Sequence, residues 1–252
     1  MELIKNTIRL GNSAGVLLPK EFLNTQVKIV LQPLNIEKDV LDILLGEGIL
    51  KNVLGCYTVG SYAREEQTIE SDIDVLVITD KINKTMKKGR YDITCISKEK
   101  VESQLEDNAL PILPMIKEAR AIINDSLIGN YINGSLTKKN IKWHMDTTKS
   151  AMKIVNSFIQ LAEEDGRRVD DAATYSLILR LRTLYIIDCL KKDKMWKKEE
   201  FLRLIKKISG SLIAYERYLD SKNHKSSKYK LPIDEAKKLM DYINKKVKEL
   251  EK

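Results

Sequence analysis

The rhythm of hydrophobic and polar positions changes twice along the chain. Residues 1–35 hold short β-type runs, LIKNTIRLG, GVLLPKEFL and QVKIVLQPL, around the turn cluster Gly11-Asn12-Ser13-Ala14-Gly15. Pro19 is placed to open a helical turn at Lys20-Glu21-Phe22-Leu23. Residues 36–135 alternate. IEKDVLDILLGEGILK has apolar residues at helical spacing, VLGCYTV reads as a strand, and Gly60-Ser61 is a turn. DIDVLVIT is a second strand, KINKTMKKG a charged turn, YDITCIS a third strand, KEKVESQLE a helix and RAIIND a short fourth strand. Residues 136–252 read as helix throughout, with segments at 141–164, 170–192, 197–208, 211–219 and 233–250.

This pattern predicts an α+β chain of three parts: a small β element at 1–35, a mixed sheet with helices at 36–135 and a helical bundle at 136–252. The first part is too short to bury much surface alone, so it either docks on the rest or pairs with a second copy.

Charge sharpens the division. Residues 1–140 hold 18 basic and 19 acidic side chains, whereas residues 141–252 hold 26 and 17, so the net +8 belongs to the helical part. A basic excess of that kind attracts polyanions or nucleotide phosphates, or it only solvates the surface. The Lys- and Glu-rich balance with five prolines resembles a thermophile's composition. Cys56, Cys95 and Cys189 are scattered and form no CxxC pair, which argues against zinc and for a reducing cytoplasm. No apolar run suggests a signal peptide or a membrane partner.

The candidate chemistry lies at the start of DIDVLVIT. Residues two apart on a strand share a face, so Asp72, Asp74 and Leu76 point one way while Ile73, Val75 and Val77 point into the core. Neighbouring carboxylates repel unless a cation lies between them, and magnesium is a hard ion suited to carboxylate oxygen. Asp92, opening the third strand, can join the pair if the two strands are neighbours. Gly60 lets backbone approach a phosphate closely, Ser61 supplies a hydroxyl, and Arg64 stands one helical turn on as a phosphate clamp.

Gly60-Ser61-Tyr62-Ala63-Arg64, a ten-residue gap from Ser61, then Asp72-Ile73-Asp74-Val75 and the later Asp92, resembles the DNA polymerase β-like nucleotidyltransferases, in their minimal branch. The resemblance covers residues 36–135. It implies that Asp72 and Asp74 hold two Mg²⁺ ions, that Asp92 binds one and assists the attacking hydroxyl, and that Gly60 and Ser61 hold the triphosphate of an NTP. Asp72 and Asp74 as solvated edge residues beside an ordinary turn are the plainer alternative.

Leu10-Gly11-Asn12-Ser13, Leu17-Leu18-Pro19-Lys20 and Val27-Lys28-Ile29 resemble, in order, the AbrB/SpoVT/MazE class of swapped-hairpin DNA-binding domains. That likeness implies a homodimer, with Lys5, Arg9 and Asn12 meeting DNA, or a dimerising element that no longer binds DNA.

A helical part after such an enzyme resembles a substrate-side bundle. Arg217 and His224 fit the loose R-x4-6-H spacing of HEPN ribonucleases, a spacing that also arises by chance. Lys222, Lys225, Lys228 and Lys230, the cluster from Lys191 to Lys198, and Arg180 and Arg182 are able to attract a nucleotide, an RNA end or an acidic protein. The expected function is Mg²⁺-dependent transfer of NMP from an NTP to a hydroxyl of protein, RNA or a small molecule, with DNA-binding autoregulation or an antitoxin-like role. The alternatives are a DNA-binding regulator that senses nucleotide without turnover, and an interaction scaffold.

Overall fold

The computed structural model describes residues 3, 5, 7–30, 34–68, 71–222 and 229–251. It is a mixed α+β chain: a two-stranded hairpin, a five-stranded mixed sheet with helices on both faces, and a helical C-terminal region.

The hairpin pairs β1 (Ile8–Leu10) with β2 (Ser13–Gly15), turning at Gly11 with φ +59°. A 3₁₀ turn follows at Lys20–Phe22, where Pro19 was expected to start one. The third β-type run was expected as a strand, but its described part, residues 26–30 and 34, has no regular structure. A strand needs a partner for its backbone groups, and Val27, Ile29 and Val30 stand exposed and pair with no strand among the described residues.

Helix α1 (Ile36–Gly46) is capped by Asn35, whose Oδ1 accepts the Lys38 N–H. Strand β3 (Val53–Val59) then runs into the single turn α2 (Gly60–Ala63). After β4 (Ile73–Thr79), residues 84–88 form β5 (Lys84–Lys88), not the charged turn expected. Only Met86 of β5 is buried; an edge strand needs one apolar contact, and lysines guard its open side. β6 (Tyr91–Ser97) leads to α3 (Lys98–Asp107), α4 (Leu113–Glu118), β7 (Arg120–Ile123) and α5 (Asp125–Ile132).

The strand order is β5-β6-β4-β3-β7, with β4 and β6 parallel and the other pairs antiparallel. One face packs Ile73, Val75, Val77 and Ile93 on Val40 and Leu44 of α1. The other packs Tyr57, Val59, Leu76 and Ile78 on Ile112, Ile116 and Ile128. The expectation of one buried face is thus corrected: Leu76, on the aspartates' side, is fully buried under α4.

The helical region comprises α6 (Lys138–Glu164), α7 (Asp171–Lys191), α8 (Lys198–Ser209), α9 (Ile213–Lys222) and α10 (Ile233–Leu250) around one apolar cluster. No helix among the described residues is long and apolar enough to cross a membrane.

Candidate active site

The end of β3 and the start of β4 meet in register, Val59 opposite Asp74. Gly60 follows with φ +70°, a conformation few other residues adopt. A Cβ at this position would lie 2.2 Å from Asp74 Oδ2, so the glycine also makes room for the carboxylate. The Ser61 hydroxyl beside it has no hydrogen-bond partner among the described residues.

Parallel pairing of β4 with β6 sets Asp74 directly beside Asp92. The Asp74 carboxyl is pushed above the ordinary carboxylate range, first by burial and then by the charges of Asp92, Asp72 and Glu118; Lys222, at the end of α9, opposes them. Asp72 lies just outside the strand, half exposed, and accepts a hydrogen bond from Lys87 Nζ at 3.0 Å. Lys87 is itself the register partner of Asp92, and its pKa is raised, chiefly by that bond to Asp72.

Among the described residues, no three carboxylate, imidazole or thiolate groups stand ready to hold one metal ion. The donor chemistry nevertheless suits a hard cation: two aspartates in adjacent register, a third two residues away, and a lysine as stand-in positive charge.

A fourth carboxylate, Glu118, had no signal in the sequence beyond being one acid in MIKEAR. It ends α4, is buried, and accepts the Gly60 N–H at 2.7 Å while its other oxygen pairs with Arg64. Arg64 also bonds Glu66 at 2.9 Å and lies 4.0 Å over the Trp196 ring. Trp196, likewise unforeseen, sits between α7 and α8 and is flanked by Arg182 at 5.1 Å. Of the two arginines of α7, therefore, Arg182 faces the Arg64 side, while Arg180 turns to Thr147 on α6. A cavity of about 250 Å³ opens beside Trp196, lined by Pro114, Lys117, Asn133, Cys189 and Lys194; no member of the aspartate set lines it.

The other expected residues lie elsewhere. Lys5 and Asn12 are exposed in the N-terminal segment, and Arg9 lies in β1. Arg217 is buried in ion pairs with Asp171 and Asp220, which gives it a structural role in holding α9 to α7. His224, Lys225 and Lys228 fall outside the described residues. His144 is buried on α6.

No curated protein matches the chain. Among solved structures, it is similar to a nucleotidyltransferase-like protein from Exiguobacterium sibiricum 255-15, at 12% identity and TM-score 0.39, over 85% of this chain and 75% of that one. It is also similar to spectinomycin adenyltransferase AAD(9) from Enterococcus faecialis, solved with ATP and spectinomycin, at 13% identity and TM-score 0.44, over 84% of this chain and 98% of the other. The stretch that carries Gly60, Ser61, the three aspartates and Glu118, residues 40–129, matches the family model of the nucleotidyltransferase domain.

Proposed function

We propose that this protein transfers NMP from an NTP to a hydroxyl acceptor on a protein, an RNA or a small molecule. The observation that carries the reading is the convergence of Asp74 with Asp92 in register, against a glycine whose missing Cβ makes room for Asp74. Asp72, Asp74 and Asp92 are the residues that would hold Mg²⁺, two ions in all. Bound there, the metal supplies charge to the reacting phosphates and lowers the pKa of the attacking hydroxyl.

The chain's own part is positioning and electrostatics. Ser61 donates its free hydroxyl to the triphosphate, and Gly60 keeps the turn close to it. The acceptor oxygen attacks the α-phosphorus in line, its bond to the bridging oxygen breaks, and pyrophosphate leaves. Asp92 takes the proton of the acceptor hydroxyl. Lys222, already felt by Asp74, brings positive charge from the helical side to the leaving phosphates.

Residues 1–35 are proposed to pair with a second copy, since Leu10, Leu17, Leu23, Val27, Ile29 and Val30 are exposed in one chain. Lys5, Arg9 and Asn12 would then present to DNA, which suits an autoregulatory or antitoxin-like role. Incubation with each labelled NTP, Mg²⁺ and cell extract tests the reading. Label carried into protein, RNA or a small molecule names the acceptor; no labelled product with any NTP removes it.

A second reading, nucleotide sensing without turnover, is favoured by two contacts. Lys87 neutralises Asp72 without metal, and Glu118 occupies the Gly60 N–H, so the site is electrostatically balanced by the protein's own groups. Nucleotide binding unchanged by Mg²⁺, without pyrophosphate release, would select it.

A further inference from the structure

Gly60 and Arg64, the two groups best placed by sequence to meet phosphate, are both engaged inside the protein by Glu118. One Glu118 oxygen takes the Gly60 N–H at 2.7 Å and the other pairs with Arg64 Nη1. Arg64 Nε is bonded to Glu66, whose second oxygen accepts the Lys198 N–H at 3.0 Å at the start of α8. The guanidinium carbon stands over the Trp196 ring, 4.0 Å from its centre. Both side chains of the Arg64–Glu118 pair are nearly buried, at 9% and 5% exposed.

A buried carboxylate survives only when its oxygens are satisfied, and here both are. Moving Glu118 aside would strip the nearly buried Arg64 of one of its two carboxylate partners, leaving Glu66 alone, so Glu118 is a fixed part of the site and not a gate. Removing it would free the Gly60 N–H and leave the turn to its own backbone bonds, Arg64 N–H to Gly60 O and Glu66 N–H to Ser61 O, at the point where it abuts Asp74.

From these contacts we infer that Glu118 is a positioning residue. It holds the Gly60 turn against Asp74, and it fixes Arg64 on Trp196, so that the turn is tied to the α7–α8 segment. Arg64 acts through this tie and does not contact phosphate. The inference rests on the proposed nucleotidyl transfer for its consequence, but its structural half is measurable without nucleotide.

The test uses the full chain with Glu118→Gln, Arg64→Gln and the double variant, in a Trp143→Phe background so that emission reports Trp196. Without nucleotide, Glu118→Gln moves the Gly60 amide proton upfield, and both single variants change Trp196 emission. With MgNTP, each single variant lowers turnover on the order of tenfold to a hundredfold, and the double is no worse than the more damaging single. Multiplying losses would show Arg64 touching phosphate directly and would overturn the inference. So would an unmoved Gly60 amide. If Glu118→Gln does not fold, Glu118→Asp, which keeps the charge and shortens the reach, is read in the same cycle. A wild type that turns over no NTP removes the proposed function alone, and the amide and emission signals still decide the positioning role.

Discussion

Gly60 and Asp74 fit against each other with no room for a methyl group between them. A Cβ on residue 60 would stand 2.2 Å from Asp74 Oδ2, and the backbone there is left-handed at φ +70°. Gly60→Ala therefore displaces either the turn or the carboxylate. Small displacements at a reacting centre are expensive, so turnover is expected to fall about 100-fold with the fold retained. Ser61→Ala, which loses one hydroxyl and moves nothing, is expected to raise the KM for NTP with a smaller change in kcat. Steady-state pyrophosphate release, with circular dichroism for the fold, checks both.

Arg217 gives a contrast. Its guanidinium meets Asp171 at 3.1 Å and Asp220 at 2.9 Å in a side chain 3% exposed. Asp171 and Asp220 are 40% and 33% exposed and can turn to water, so losing Arg217 costs about 1.5–3 kcal/mol, the range for hydrogen bonds to charged groups, and not the larger cost of a fully buried pair. Arg217→Ala is expected to lower unfolding free energy by that order in urea titration. At temperatures where the variant is folded, NTP turnover stays near wild type. A large loss of turnover in a stable Arg217 variant would return this residue to the functional set.

His144 supplies a pH signature. Burial, and behind it the charge of Arg180, holds its imidazole down to about 4 from an ordinary 6.5. The folded chain resists a proton that the unfolded chain accepts, so stability falls with pH. The loss begins below pH 6.5 and is complete below about pH 4. Over that span it amounts to about 3 kcal/mol. Above pH 7 the group contributes no slope. His144→Gln should flatten the difference in melting temperature between pH 7 and pH 5, measured against wild type to subtract the carboxylates.

Where the candidate residues lie was legible in the sequence because the strand patterns that place them are local. Asp72, Asp74, Asp92 and the Gly60-Ser61 turn lie at strand ends whose apolar runs are unambiguous, and β3 and β6 have the expected bounds. Strand β5 escaped because KTMKK has a single apolar residue, as an edge strand can. The six-residue α4 and eight-residue α5 are too short to show a period, and with them went Glu118, whose place depends on how α4 packs over the sheet. Trp196 has no local signal either; its meaning comes from Arg64, distant in sequence but 4.0 Å away in space.

The N-terminal segment makes a prediction about assembly. Six large apolar side chains between Leu10 and Val30 are exposed in a single chain. The chain of residues 1–252 is expected to run as a dimer in light scattering, and a chain starting at residue 36 as a monomer with turnover retained. Equal masses for the two would contradict pairing through this segment.

The central claim is met most directly by pyrophosphate release, with each of the four NTPs and Mg²⁺ in the presence of cell extract, from wild type and from Asp74→Asn. The account predicts release by wild type with at least one NTP, dropping about 10²–10³-fold in the variant. Release that persists undiminished in Asp74→Asn, or none from wild type with any NTP, would contradict it.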